Sequence, residues 1–265
     1  MSAIEKVGFL SSDIESWIEK HRRENKQYFD LAEGLNELSQ SLMLELEPKK
    51  ENEQELIVTL LYCRAISHFQ GAIILTERGM TSEARSLIRG LLDVVFACCA
   101  LAKNKELVED YIKDDLCQRL KLVNSFMSLP KEIKKRHKTS NKKLKALAEE
   151  LKQEIEKESV KPLTSEYLAQ KAGMQGHYLT MFSMLSSSTH SRVRDLERYI
   201  VGNNNVPEEL IWGPDVSDID DTLYQACECI FISTRGVLDL FEIERHDDQL
   251  AILWGKYNKI GNAHA

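Results

Sequence analysis

Residues Thr81–Lys103, TSEARSLIRGLLDVVFACCALAK, read as a helix that is apolar almost all the way round and crossed by a single stripe of charge. Arg85, Arg89 and Asp93 make up that stripe, at i, i+4 and i+8, so all three share one face. A helix that is hydrophobic on every side belongs in a core. A core guanidinium stripped of its partner costs roughly 3–5 kcal/mol. Carboxylates, backbone carbonyls or a bound anion must therefore face Arg85 and Arg89, and this polar seam is the first candidate site.

Working outward from that helix, the preceding run, about residues 53–78, is a second largely apolar helix that stops at Gly79. Thr81 or Ser82 is placed to cap the next helix, so the two form an antiparallel hairpin with a very short turn. Gly71, mid-helix, predicts close approach of another helix. Upstream, Ser11 and Ser12 cap a long amphipathic helix over residues 13–45, followed by a polar break at 48–52.

Downstream, a fourth helix is expected over 105–128. Pro130 then opens a charged excursion, residues 131–161. Its first part, KEIKKRHKTSNKKLK, holds eight Lys or Arg against one Glu. No aromatic side chains interleave to stack bases, so a solvated face is the expected role. A short helix over 165–172 ends at Gly173, and another is expected over 175–194. Residues 202–221 read as an acidic loop, with Ile211 and Trp212 as plugs onto the bundle. A last major helix reaches about residue 242, and a short one over 248–257 offers Leu250, Ile252, Leu253 and Trp254 as a docking face. No alternating strand pattern is present.

The expected fold is thus all-α: one domain over 1–265, a bundle of about six to eight helices with a charged helical excursion. The composition, 43% hydrophobic and 29% charged over 265 residues, is that of an ordinary globular chain. A net charge of -7 argues against non-specific coating of nucleic acid, while leaving room for a local basic site. Of the six cysteines, all but Cys117 fall in apolar helical runs and are expected as buried thiols. They form no zinc spacing, so no metal or cofactor is expected. No signal peptide is indicated, and the most apolar window, residues 56–75, carries Arg64, His68 and Gln70 and makes a poor membrane span. The expected location is the cytoplasm. Apolar stripes on the first long helix and on the Trp254 helix lead to the expectation of a homodimer.

Three polar groups fall on helices expected to be buried. Arg64, Ser67 and His68 lie on the second helix; Arg85, Arg89 and Asp93 on the third; and Tyr178, Phe182, Ser186 and His190 follow at intervals of four. The run from Leu56 to Tyr111, with an arginine on the first buried helix and an E-A-R-x-L-x-R-x-L-x-D-like pattern on the next, resembles a bacterial helical family, domain of unknown function 5677. The Tyr178-x-x-x-Phe182-x-x-x-Ser186-x-x-x-His190 stretch resembles that family's Y-x-x-x-Y-x-x-x-S-x-x-x-H, with Phe182 in place of the second tyrosine. The resemblance implies an all-α fold and interest in Arg64, Arg89, Asp93 and His190; it supplies no activity.

A weaker analogy is to the higher-eukaryote and prokaryote nucleotide-binding helical ribonucleases of toxin and phage-defence systems. There a histidine moves a proton and an arginine stabilises the phosphorane. Arg64 and His68, one turn apart, lie closer than that family's arginine–histidine signature sets them. Two expectations result. One is a metal-independent, ribonuclease-like effector with His190 or His68 as acid/base and Arg64 or Arg89 on phosphate. The other is a non-catalytic module in which Arg85, Arg89, Asp93, Ser186 and Tyr178 bind an anionic ligand or nucleotide, or a scaffold for protein partners. The partner expected for the first two roles is RNA or a nucleotide.

Overall fold

The computed structural model describes residues 3–136, 140–203 and 206–262. These carry twelve α-helices of five residues or more: α1 Ala3–Val7, α2 Ile14–Glu24, α3 Lys26–Glu45, α4 Glu53–Glu77, α5 Thr81–Lys103, α6 Leu107–Ser128, α7 Lys131–Arg136, α8 Asn141–Lys157, α9 Ser165–Ala172, α10 Ser183–Thr189, α11 Ile219–Phe241 and α12 Asp247–Asn262. The all-α expectation holds, but six to eight helices was too few. One reason is Asn25, which divides the expected first helix: its side-chain amide donates to His21 O at 3.0 Å and breaks the run between α2 and α3. Another is the charged excursion, which contains both α7 and α8.

Helix α5 is the axis of the molecule, with Ile88, Leu91, Leu92, Val95, Phe96 and Leu101 fully buried. It packs against α4, α11, α9 and α10. Asn52 is the N-cap of α4: its Oδ1 accepts from Glu55 N, and its Nδ2 donates to Glu55 Oε1 at 2.6 Å. Gly79 closes α4 as expected, at φ +71, with Met80 N donating to Leu75 O and Gly79 N to Thr76 O, the two bonds of a Schellman stop. A Cβ at Gly71 would stand 2.9 Å from Leu87 Cδ1, so α4 and α5 do approach closely there. The expected side-chain cap of α5 is absent: Met80 is its N-cap, and the hydroxyl of Thr81 is buried with no partner among the described residues.

Helix α11 lies parallel to α5. Arg85 meets Asp218 at one end, and Gly236 approaches Cys99 near the other. Both helices therefore begin at the same end of the bundle. Helices α6 and α8 pair over a small apolar cluster of their own, Val123, Leu144, Ala148 and Leu151, which makes the charged excursion a solvated hairpin with a thin core. Residues 137–139 of its basic run lie outside the described residues.

The expected helix over 175–194 is broken. Residues 178–182 form a π-turn, α10 ends at His190, and the chain continues through Val193–Leu196 to an antiparallel hairpin, β1 Ile200–Asn203 with β2 Val206–Leu210. This hairpin corrects the expectation of no strands; it occupies part of the expected loop, of which residues 204–205 lie outside the described ones. Ile211 and Trp212 do not plug onto the bundle, and Trp212 is 72% exposed. Cys98, Cys99, Cys227 and Cys229 are buried, but Cys63 is exposed and Cys117 half-buried. The apolar stripe of α3 (Leu31, Leu35, Leu38, Leu42) is spent inside the core rather than on a partner, while Ile252 and Trp254 of α12 remain exposed. Helix α4 is apolar and long enough to cross a membrane by length and composition, with 39% of its most apolar window buried.

Candidate functional site

The stripe on α5 divides into two neighbouring arrangements. The lower one is a closed polar joint. Arg89 donates from Nε to Ser186 Oγ at 3.1 Å and from Nη1 to Asp93, and its guanidinium lies 3.2 Å from the centre of the Phe182 ring. Asp93 also accepts from Ser165 Oγ at the start of α9. Phe182 stacks on Tyr178 at 4.9 Å and both approach Phe96. The joint thus brings together Arg89, Asp93, Ser186 and Tyr178, four of the residues picked out by spacing: the first three are tied by hydrogen bonds, and Tyr178 enters through its ring.

Three others stand apart. His190 is exposed at the C-terminal end of α10, and its backbone N–H, not its ring, makes its hydrogen bond, to Ser186 O. The end of the helix is the physical reason: His190 is the C-cap of α10, at φ -107 and ψ 12, and Ser191 turns left-handed at φ 45 directly after it, so the chain leaves the Phe182–Ser186 face at this residue. Arg64 is exposed on α4, and among the described residues it makes no hydrogen bond or ion pair. His68 is half-buried over Gly90, with Nδ1 3.4 Å from Leu87 O. At about 100° per residue, Gly90 lies about 100° and Leu87 about 160° round α5 from the middle of the arginine stripe. Burial, then the charge of Arg64, hold the His68 ring below its ordinary pKa, so it favours the neutral form.

The upper arrangement is open. Arg85, Arg194, Arg198, Asp195, Asp218 and Gln225, with Leu179, Met181, Met184 and the hydroxyls of Ser183, Ser187 and Ser188, line a cleft of about 850 Å³. Asp218 Oδ2 accepts from Arg85 Nη1 at 3.2 Å and from Arg198 Nη2 at 3.0 Å. Asp195 accepts from Ser188 Oγ at 2.7 Å and more distantly from Ser82 Oγ. Arg198 Nε is 3.6 Å from Asp215 Oδ2, an ion pair too long to be a hydrogen bond.

The buried side-chain polar atoms that lack a partner among the described residues gather on the elements around this cleft: Thr81 Oγ1, Arg85 Nε, Arg198 Nε, Thr222 Oγ1 and Gln225 Oε1. Buried polar groups are ordinarily satisfied. Three of them, Arg85 Nε, Arg198 Nε and Gln225 Oε1, belong to residues that line the cleft, which marks a place where a further polar group fits.

Of the residues picked out by spacing, Arg85 lines this cleft. Arg198, Arg194 and Asp195 were missed. They follow the serine-rich run in RVRDLER, where two arginines four apart are a legible signal, but the helical period lapses there and hid it. Asp218 falls in the run 202–221 that reads as an acidic loop, where nothing in the spacing singles it out. Among the described residues no group of three or more His, Cys, Asp or Glu side chains is placed to hold a metal ion.

In comparisons with known proteins, no curated protein and no solved structure matches the chain. A family of unknown function, DUF5677, matches residues 55–207, which run from α4 to β2 and carry Arg85, Arg89, Asp93, Ser186, Asp195 and Arg198. That match covers more than half of the chain, and the chain belongs to this family.

Proposed function

We propose that the protein is a non-catalytic binding module whose open cleft takes a phosphate-bearing ligand of nucleotide size. One observation carries this reading: Arg85 and Arg198 converge on one cleft with Arg194 on its wall, and the Nε of Arg85 is buried with no acceptor among the described residues. Guanidinium groups in a partly dry site are the usual grip on phosphate, because several N–H donors meet several anionic oxygens at once. Leu179, Met181 and Met184 give the same cleft an apolar wall, on which the flat face of a base or another ring would lie. The volume is within the range of small-molecule sites. In a chain of net charge -7, a concentration of arginine is also a local exception that an anion would find.

The ribonuclease-like reading draws less support. Among the described residues the cleft wall contains no histidine, and His68 faces a different side of α5.

Calorimetric titration tests the binding reading, with inorganic pyrophosphate, adenosine 5′-monophosphate and a short RNA strand as probes. Saturable binding that is lost in Arg85→Gln and Arg198→Gln supports it. No heat and no shift in melting temperature with any probe overturns it. Cleavage of the RNA strand that disappears in His190→Ala would restore the enzyme reading.

A further inference from the structure

Asp218 departs from what its position calls for. It immediately precedes α11, where an aspartate ordinarily turns its carboxylate back to cap the first free N–H groups. Here it makes no cap bond, and it holds a left-handed backbone, φ 58 and ψ 20, which side chains other than Asn and Asp adopt only under strain. Its carboxylate instead faces the cleft, where a single oxygen, Oδ2, receives both Arg85 Nη1 and Arg198 Nη2.

That contact answers the two arginines incompletely. One carboxylate oxygen serves two guanidinium groups, while Arg85 Nε remains buried and unanswered. A phosphate group carries three terminal oxygens and up to two charges, enough for both Nη contacts and the remaining Nε. The side chain of Asp218 is 46% exposed, so it leaves the arginines without first being dug out of a core. The partners differ in what they keep when it goes. Arg198 retains Asp215 at 3.6 Å, whereas Asp218 is the one carboxylate that pairs with Arg85 among the described residues. Withdrawal of Asp218 therefore exposes an arginine that needs an anion.

We infer that Asp218 is a resident stand-in for the ligand's phosphate: its carboxylate occupies the phosphate position between Arg85 and Arg198, and the ligand binds by displacing it. This rests on the reading of the cleft as a phosphate site. It adds that the affinity of the wild-type protein is set by competition, because the receptive state is only the fraction in which Asp218 has withdrawn.

The test is titration of inorganic pyrophosphate and adenosine 5′-monophosphate into wild type, Asp218→Asn, Asp218→Gly, Arg85→Gln and Asp220→Asn. Asparagine keeps the size of Asp218 and tolerates its backbone, and glycine prefers that backbone, so the two variants separate loss of charge from loss of fold. Asp220→Asn removes the same charge two residues away. The inference expects both Asp218 variants to bind about tenfold or more tightly than wild type, about 1.4 kcal/mol, with Asp220→Asn close to wild type. If wild type binds and Arg85→Gln does not, but neither Asp218 variant gains, the cleft reading stands and the stand-in falls. An equal gain in Asp220→Asn also overturns it, since general electrostatics would then suffice. If none of the five proteins binds either probe, the cleft reading fails and takes the inference with it.

Discussion

The guanidinium of Arg89 lies over the Phe182 ring, 3.2 Å from its centre, while its Nε holds Ser186 one turn further along. One side chain of α5 thus grips the π-turn and α10 together and fixes the wall of the neighbouring cleft. Arg85, one turn earlier on the same face, has an unanswered donor where Arg89 has ring, hydroxyl and carboxylate. Adjacent members of one stripe serve different ends, the first an open site and the second the joint that supports it.

Truncating the two should separate those ends. Arg89→Ala loses a cation–π contact and two hydrogen bonds and leaves Asp93 with Ser165 alone. At 19% side-chain exposure this should cost about 2 kcal/mol, a fall in melting temperature of about 4–8 °C for a chain of this size. Arg85→Gln, already short of partners, should shift melting by less while abolishing any anion binding. Equal melting temperatures for Arg89→Ala and wild type would remove the structural role assigned to the joint.

Gly79 should resist any substitution. Its φ of +71 is left-handed, and a Cβ there would lie 2.7 Å from Asp215 N and 2.9 Å from Pro214 Cα, both backbone atoms, with Trp17 at 2.6 Å. Gly79 O also accepts from Asp215 N at 3.0 Å, so the hairpin turn anchors the loop that carries Asp215 and Asp218 to the cleft. Gly79→Ala should cost at least about 2 kcal/mol in urea unfolding, from backbone strain together with a clash that no side chain can relieve. A loss under about 0.5 kcal/mol would show that the loop yields, and that the anchoring is not needed.

These features were unequally legible in the sequence. The α4–α5 hairpin followed from one glycine and two apolar runs. Helix α9 followed from its stop at Gly173, and Thr164 caps its start, the hydroxyl accepting from Tyr167 N. Local chemistry decides such features, and it is written locally. The pairing of Arg85 with Asp218 spans 133 residues and depends on α11 lying parallel to α5, which no periodicity states. The exposure of His190 follows from where α10 stops, with Ser191 left-handed directly after it, and an i, i+4 spacing does not state that end. Arg85 and Arg89 were found because a charge in an apolar helix is conspicuous. Arg198 was missed because its surroundings are irregular and a charge there is not.

The pH dependence of stability should carry two histidines of opposite sign. His177 Nε2 lies 3.0 Å from Glu228 Oε1, and this hydrogen bond, opposed by burial, raises the histidine pKa. A raised folded-state pKa gives stability that is full below the unfolded value, about 6.5, and is lost as pH rises through the folded one. His68, held low by burial and by Arg64, contributes in the other sense: its stability is present above the unfolded value and lost as pH falls. His177→Gln should therefore lower the melting temperature more at pH 5.5 than at pH 8.5. It should also leave stability falling more steeply with acid than in wild type. A larger loss at the alkaline end would contradict the ion pair with Glu228.

Thiol reactivity checks the packing around α5 and α11 directly. Burial drives the Cys99 thiol up to about 12 and raises those of Cys98, Cys227 and Cys229 well above the ordinary thiol value, so the reactive thiolate is scarce as well as inaccessible. Cys63 is exposed on α4, and Cys117, half-buried on α6, is also raised by burial. With an aromatic disulfide reagent at pH 8, Cys63 should react at once and Cys117 slowly, and the remaining four only after denaturation. Labelling of Cys99 or Cys229 at a rate comparable to Cys63 would mean that α5 and α11 part in the native state. The Arg85–Asp218 contact, which joins the same two helices at their beginnings, would then open with them, and anion access would be set by helix separation rather than by displacement of one carboxylate.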